Sequence, residues 1–231
     1  MTSSRLLARD EPNMAPEPPP VADKSTFAAF RYSDYDTPFW ARSSTRAARW
    51  HEPADGPTQY LSLDPDAAWA EKARAEDTRT DADLALLRTK IWVALVEQRN
   101  VVDYGDFGRA EAAGFSPEAL VDDDHSRCRA EGKRLREAGY GGVLAPSAAL
   151  SGSTNLTLFG PRVRSTWGAS VLLRSSVPAC VVAVGAPDTG LATRVRFFGG
   201  AHSGLSTYGA QARNGGQPGA EDETSNAEKL F

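Results

Sequence analysis

The stretch from Thr58 to Ala75 constrains the fold more than any other. Thr58-Gln59-Tyr60-Leu61-Ser62-Leu63 alternates as a strand does. A helix start follows at once. Asp64 can accept hydrogen bonds from the first-turn N–H groups, Pro65 fits the first helical position, and Asp66 favours the positive end of the helix dipole. The helix is predicted to run through Ala67, Ala68, Trp69, Ala70 and Glu71 to about Ala75.

Other segments alternate between the two types. Phe27 to Tyr32 reads as a strand. Ile91 to Glu97 is apolar in both phases, as in a strand buried on both faces, and Val101-Val102-Asp103 extends or follows it. Asn155 to Phe159, Ala179 to Val184 and Arg194 to Phe198 are further strands. Asp81 to Thr89 and Ser126 to Glu137 are helical, the latter ended by Gly139. The mixed order predicts an α+β fold rather than a doubly wound sheet. Residues 1–24 hold the run Glu11 to Pro20, too rich in proline for a helix or central strand. The last part is rich in Gly, Ser, Asn and Gln and contains Glu221-Asp222-Glu223. The expected organisation is a Pro-rich disordered tail over 1–24, one domain over 25–205, and a flexible tail over 206–231.

Composition narrows the function. The formal net charge of −4 over 231 residues argues against a protein that coats nucleic acid. No apolar run reaches the roughly 18 residues of a membrane span, and Met1 to Asp10 lacks the apolar core of a signal peptide. A soluble cytoplasmic protein is expected, with no membrane and no direct nucleic-acid partner. Cys128 and Cys180 are too few for a disulfide framework. There is no Gly-x-Gly-x-x-Gly after a strand, no Walker loop and no Gly-x-Ser-x-Gly elbow. His125 and Cys128 share a helix face, but two ligands do not make a zinc site, so no metal is expected. Asp122-Asp123-Asp124 reads as a solvated helix entry, and His51 and His202 have no triad context.

A different set stands out: Arg31-Tyr32 at a strand end, Arg49-Trp50-His51 in a loop, Tyr60 on a strand, Glu71 on the capped helix, Ser147 after Pro146, and Asn155 opening a strand. In this order the segments resemble the RES domain, named for its Arg, Glu and Ser. Phe30-Arg31-Tyr32 is similar to its opening arginine segment, and Ala48-Arg49-Trp50 to its Gly-Arg-Trp, with alanine in place of glycine. Tyr60 to Glu71 is similar to its tyrosine strand and glutamate helix. Val101-Val102-Asp103 resembles its strand ending in aspartate, Pro146-Ser147-Ala148 its serine motif, and Asn155 to Phe159 the strand that follows. The resemblance spans about 27 to 165, and more weakly to about 200. It leaves the Tyr35 to Ala47 insertion and both tails unplaced.

The resemblance implies a fold like that of the diphtheria-toxin-like ADP-ribosyltransferases. It implies NAD⁺ as substrate rather than cofactor, inorganic phosphate as co-substrate, and an antitoxin partner of the DNA-binding Xre type. The residue chemistry suits that substrate. Breaking the nicotinamide–ribose bond releases a neutral leaving group through an oxocarbenium-like transition state, which a carboxylate stabilises. Glu71 is the candidate. Arg31 and Arg49 suit the diphosphate, and Tyr60, then Tyr32, can stack on the cationic nicotinamide. Ser147 can orient a ribose or amide, with Asn155 behind it. The catalytic set is Glu71, Arg31 and Ser147. Each also has a plain structural reading. Glu71 could be solvated, Arg31 could pair with Asp34 or Asp36, Tyr60 and Trp50 could be core aromatics, and Ser147 could cap a short helix. The expected activity is phosphorolysis of NAD⁺ to nicotinamide and ADP-ribose-1″-phosphate, or hydrolysis to ADP-ribose. The alternatives are transfer of ADP-ribose to a protein and an inactive binding module.

Overall fold

The computed structural model describes residues 18–24, 26–33, 39, 43–87, 89–161, 170–172, 175–177, 181–184 and 186–213. The chain runs β1 (Thr26–Ser33), β2 (Thr58–Ser62), α1 (Pro65–Ala75), α2 (Asp81–Leu84), β3 (Lys90–Glu97), β4 (Val101–Asp103), α3 (Phe107–Ala112), α4 (Pro117–Val121), α5 (Ser126–Glu137), β5 (Gly142–Pro146), β6 (Thr154–Phe159), β7 (Ser170–Leu172), β8 (Ser175–Val177), β9 (Val181–Val184), α6 (Leu191–Arg194) and α7 (Ser203–Arg213). Seven strands form one sheet in the order β4-β5-β6-β2-β1-β3-β9, and β7 pairs with β8 apart from it. Only β4 and β5 run parallel in that sheet. The architecture is α+β, as expected from the mixed order of elements.

Four helices, α1 to α4, begin where short polar side chains accept first-turn N–H groups. Asp64 accepts from Ala67 N at 2.7 Å and Asp106 from Arg109 N at 2.8 Å. α5 stops before Gly139, whose φ of 83° is one a side-chain-bearing residue rarely adopts.

Register sorts the strands' side chains onto two faces. Phe27, Ala29, Leu61, Ala94, Val96, Leu144, Leu156 and Leu158 pack with Phe39 on one. On the other, Phe30, Tyr32 and Ile91 meet α1 through Ala67, Trp69 and Ala73. Farther along that second face, Tyr60, Val143 and Ala145 meet Trp50, Tyr104, Leu120 and Leu135. Two helical groups thus share a face of the sheet and leave a gap between them.

Gly132 on α5 matters to this gap. A Cβ there would lie 2.3 Å from the Trp50 carbonyl oxygen, so glycine lets the 48–51 turn rest directly on the helix.

Several expectations need correction. The helix over Asp81–Thr89 shrinks to α2, because Leu84 alone in that helix is buried and a short helix without a packed face gains too little to extend. Arg194 to Phe198 is not a strand. α6 ends at Arg194, Val195 makes a lone bridge to Leu150, and Arg196 bonds back to Ala149 O. The tail expected to be loose from 206 is helical in α7 as far as Arg213, and its remainder lies outside the described residues. The end of the Pro-rich leader is also built in. Val21 bridges Val102, Ala22 N donates to Val101 O, and Asp103 N donates to Pro20 O, so the segment covers the exposed edge of β4. Residues 1–17, Asp34, Asp36 and Cys180 lie outside the described residues.

Candidate active site

β1 is treated unequally by its neighbours. It pairs with β3 along its whole length, from Thr26 opposite Glu97 to Ser33 opposite Lys90, but with β2 only at Phe30 opposite Ser62. A cavity of about 350 Å³ lies at this weak seam, within the roughly 300–1,000 Å³ usual for ligand pockets. β1 contributes Phe30, Arg31 and Tyr32 to its lining, β2 Tyr60, Leu61 and Ser62, and α1 Ala68, Glu71, Arg74 and Ala75. Arg49, His125, Asn155 and Phe198 close it. Ser147 does not line it directly but is hydrogen-bonded to Glu71, and strand alternation turns the Arg31 side chain toward Gln59 on the Phe27–Leu61 face, so the structure gathers Tyr32, Arg49, Tyr60, Glu71, Ser147 and Asn155 on one side of the sheet and brings Arg31 to the same seam from the other.

Glu71 is half-buried, and two neutral donors converge on its Oε1. Ser147 Oγ donates at 3.0 Å and Asn155 Nδ2 at 2.8 Å. Each donor is itself fixed. Asn155 Oδ1 accepts from Ser62 Oγ at 2.9 Å, which turns the amide NH₂ toward Glu71. Ser147 Oγ accepts the Ala149 and Leu150 N–H groups, both at 3.2 Å, so its one hydrogen is left for the carboxylate. Both readings of Ser147 hold at once: it caps the turn and it serves Glu71.

The arginine side has a different character. Arg31 donates to Gln59 Oε1, and the Gln59 amide donates in turn to Phe39 O and Pro161 O. Burial lowers the pKa of Arg31, so its charge is held in a poorly solvated position. Arg49 donates through Nη1 to the backbone oxygens of Asp122 at 2.9 Å and Ala119 at 3.5 Å, which anchors its guanidinium at the end of α4. Tyr60 spends its hydroxyl on the 48–51 turn, accepting from Trp50 N at 3.0 Å and meeting His51 Nδ1 at 2.9 Å. Burial pushes its phenol well above the usual range, so Tyr60 lines the cavity as a neutral ring. Tyr32 lies under Lys72, 5.6 Å from ammonium to ring centre, and burial together with Glu71 raises its pKa.

Sequence reasoning missed Arg74, Asp123, His125, Phe198 and His202. Arg74 is only 4% exposed and donates to Asp123 Oδ1 at 2.5 Å. Arg196 reaches the same oxygen at 3.1 Å, and Gly199 N donates to Asp123 Oδ2 at 2.7 Å. Burial alone would raise the Asp123 carboxyl. The Gly199 N–H and the two guanidiniums outweigh it and hold the group below the usual carboxylate range. Asp123 is thus a structural hub and not a solvated helix entry. Burial, then Arg49, Arg129 and Arg74, lower the His125 imidazole to about 4, so it is neutral near pH 7. Cys128, three residues on, is buried and donates to Ala119 O at 3.0 Å. His202 Nδ1 accepts from Leu205 N at 3.1 Å, so Nε2 carries the hydrogen and donates to Ser147 O at 3.0 Å. α7 therefore steadies the serine loop.

Of these, Arg74 alone left a signal in the sequence. Ala68, Glu71, Arg74 and Ala75 fall on one face of the predicted helix. Asp123, His125, Phe198 and His202 reach the site only through tertiary packing.

The family model of the RES domain matches residues 24–176. Phe198 and His202 lie past the matched segment. No curated protein matches the chain. Among solved structures, the chain is similar to a chain in the crystal structure of the M. tuberculosis MbcT–MbcA toxin–antitoxin complex. The two are 21% identical with a TM-score of 0.49, and the match covers 68% of this chain and 84% of that one.

Proposed function

This chain belongs to the RES domain family, and from that premise we propose that its cavity binds NAD⁺ and cleaves the nicotinamide–ribose bond. The observation that carries the reading is Glu71, a carboxylate held by two neutral donors at a cavity that arginines also line. As the bond from the nicotinamide nitrogen to the ribose anomeric carbon breaks, its electron pair leaves with the nicotinamide, which departs neutral. Positive charge develops on the ribose, and Glu71 faces it with no cation bonded to it among the described residues. Arg49, and Arg31 from across the β1–β2 seam, suit the diphosphate.

In the phosphorolytic form, an oxygen of inorganic phosphate bonds to the anomeric carbon and gives ADP-ribose-1″-phosphate. Water in the same place gives ADP-ribose. The biological role that follows is that of a toxin whose loss of NAD⁺ is restrained by an antitoxin of the Xre type covering the cavity.

The test is incubation of the purified protein with NAD⁺, with and without inorganic phosphate, and separation of the products by liquid chromatography. NAD⁺ loss that requires phosphate and yields phosphorylated ADP-ribose supports phosphorolysis. Loss without phosphate to free ADP-ribose supports hydrolysis. ADP-ribose retained covalently on protein replaces both with transfer, and NAD⁺ stable under every condition overturns the reading.

A further inference from the structure

Phe198 is a large apolar side chain left 59% exposed, yet it lines the cavity. An exposed aromatic in a loop would ordinarily be free to swing, but this one is held. Gly199 N, next along the chain, is tied to Asp123 at 2.7 Å, and Arg196, two residues before, pairs with the same carboxylate at 3.1 Å. Arg196 Nε also closes the loop onto Gly200 O at 2.7 Å. One side of the ring is occupied by the Arg74 guanidinium, 4.2 Å from its centre. The ring is therefore a fixed, partly open platform at the mouth of the cavity.

Its charge setting selects what can stack there. A guanidinium behind the ring draws on its π face, and Arg74, Arg196 and Arg49 together outnumber Asp123, which offsets one of them, so a positive excess remains nearby. A cationic pyridinium is disfavoured in such a place, whereas a neutral purine is not. Glu71 and Arg74 lie three residues apart on one face of α1, so the carboxylate, the guanidinium and the Phe198 ring follow one another along the cavity.

We propose that Phe198 is the shelf on which the adenine ring of NAD⁺ stacks, so that the dinucleotide lies along α1 with its nicotinamide end at Glu71. This rests on the NAD⁺ reading of the same cavity. It assigns the specificity for a dinucleotide over a mononucleotide to a residue beyond the segment matched by the family model.

The experiment uses the full chain, Phe198→Ala and Phe198→Trp. AMP, which carries the adenine, and nicotinamide mononucleotide, which carries the other end, are each measured as competitors of NAD⁺ consumption. In Phe198→Ala, the KM for NAD⁺ and the inhibition constant of AMP should both rise about tenfold, toward the lower end of what base–aromatic stacking supplies. The inhibition constant of nicotinamide mononucleotide should stay within twofold, and Phe198→Trp should restore AMP binding. AMP inhibition that is absent in the wild type, insensitive to Phe198→Ala, or weakened no more than that of the mononucleotide overturns the proposal. If the wild type does not consume NAD⁺, the functional reading fails on its own, and calorimetric titration of AMP into wild type and Phe198→Ala still decides the shelf.

Discussion

Two acidic residues serve the same cavity in opposite ways. Asp123 sits against two guanidiniums and a backbone N–H. Among the described residues, Glu71 receives hydrogen bonds from a hydroxyl and an amide, and the Arg74 guanidinium is near enough to feel its charge. The first charge is neutralised where it stands, and what it gains is a fixed geometry for Arg74, Arg196 and the 196–200 loop. The second has its orientation set by uncharged groups, with no direct ion pair to it among the described residues. A carboxylate of that second kind is the one that can respond to positive charge appearing in a ligand. The difference separates structure from chemistry within a few residues of one another, and each half can be tested separately.

The largest effect is expected at Glu71. Glu71→Gln preserves size and loses the charge, and NAD⁺ turnover should fall at least about 100-fold, while urea unfolding shows no loss of stability. Turnover within a few-fold of wild type would move the reacting charge elsewhere. Asp123→Ala should do the reverse in kind. With Arg74 and Arg196 left without their shared partner, urea unfolding should report a loss of about 3 kcal/mol. A loss below about 1 kcal/mol would mean that the hub contributes no more than a surface pair.

Ser147→Ala tests whether the two roles can be divided within one side chain. It removes a donor to Glu71 and the acceptor for two N–H groups, so a loss of about 1–2 kcal/mol is expected, together with a turnover about tenfold lower. A turnover defect without a stability change would leave the cap idle. The effect that vanishes at neutral pH concerns His125 on the arginine side. Its pKa in the folded chain, about 4, lies below the ordinary value of about 6.5. The unfolded chain therefore binds a proton between those values that the folded chain refuses. Stability should be full above about pH 6.5 and should decline as the pH falls toward 4. His125→Gln should flatten that slope in denaturant titrations, and an unchanged slope would assign the acid sensitivity to other groups.

The site was partly legible because its local elements carry their own signals. The alternation over Thr58 to Leu63 and the Asp64-Pro65 start fixed the position of Glu71 to within the helix observed, α1 over Pro65–Ala75. Arg31, Arg49, Tyr60, Ser147 and Asn155 could be named as candidates because the segments around them resemble, in order, those of the RES domain. Asp123 could not be read in this way. Three consecutive aspartates at a helix entry look solvated until two arginines from elsewhere in the chain are brought to the middle one. Arg194 to Phe198 misled for a related reason. Its β-branched and aromatic residues suit a strand, but Arg196 and Gly199 are engaged by Ala149 O and Asp123 instead.

The sequence by itself determined the mixed α+β character, the extent of α1 and α5, and the order of the segments that mark the family. These follow from caps, glycines, prolines and periodicity acting over a few residues, and such local forces are present in the chain before it folds. Only the tertiary structure decided where the sheet opens, between β1 and β2, and which residues face that opening. It also decided that a C-terminal loop and helix complete the site, Phe198 at its mouth and His202 behind Ser147. Those placements depend on strand partners and charges far apart along the chain. Their energies arise only when distant segments meet, so nothing local in the sequence could have announced them.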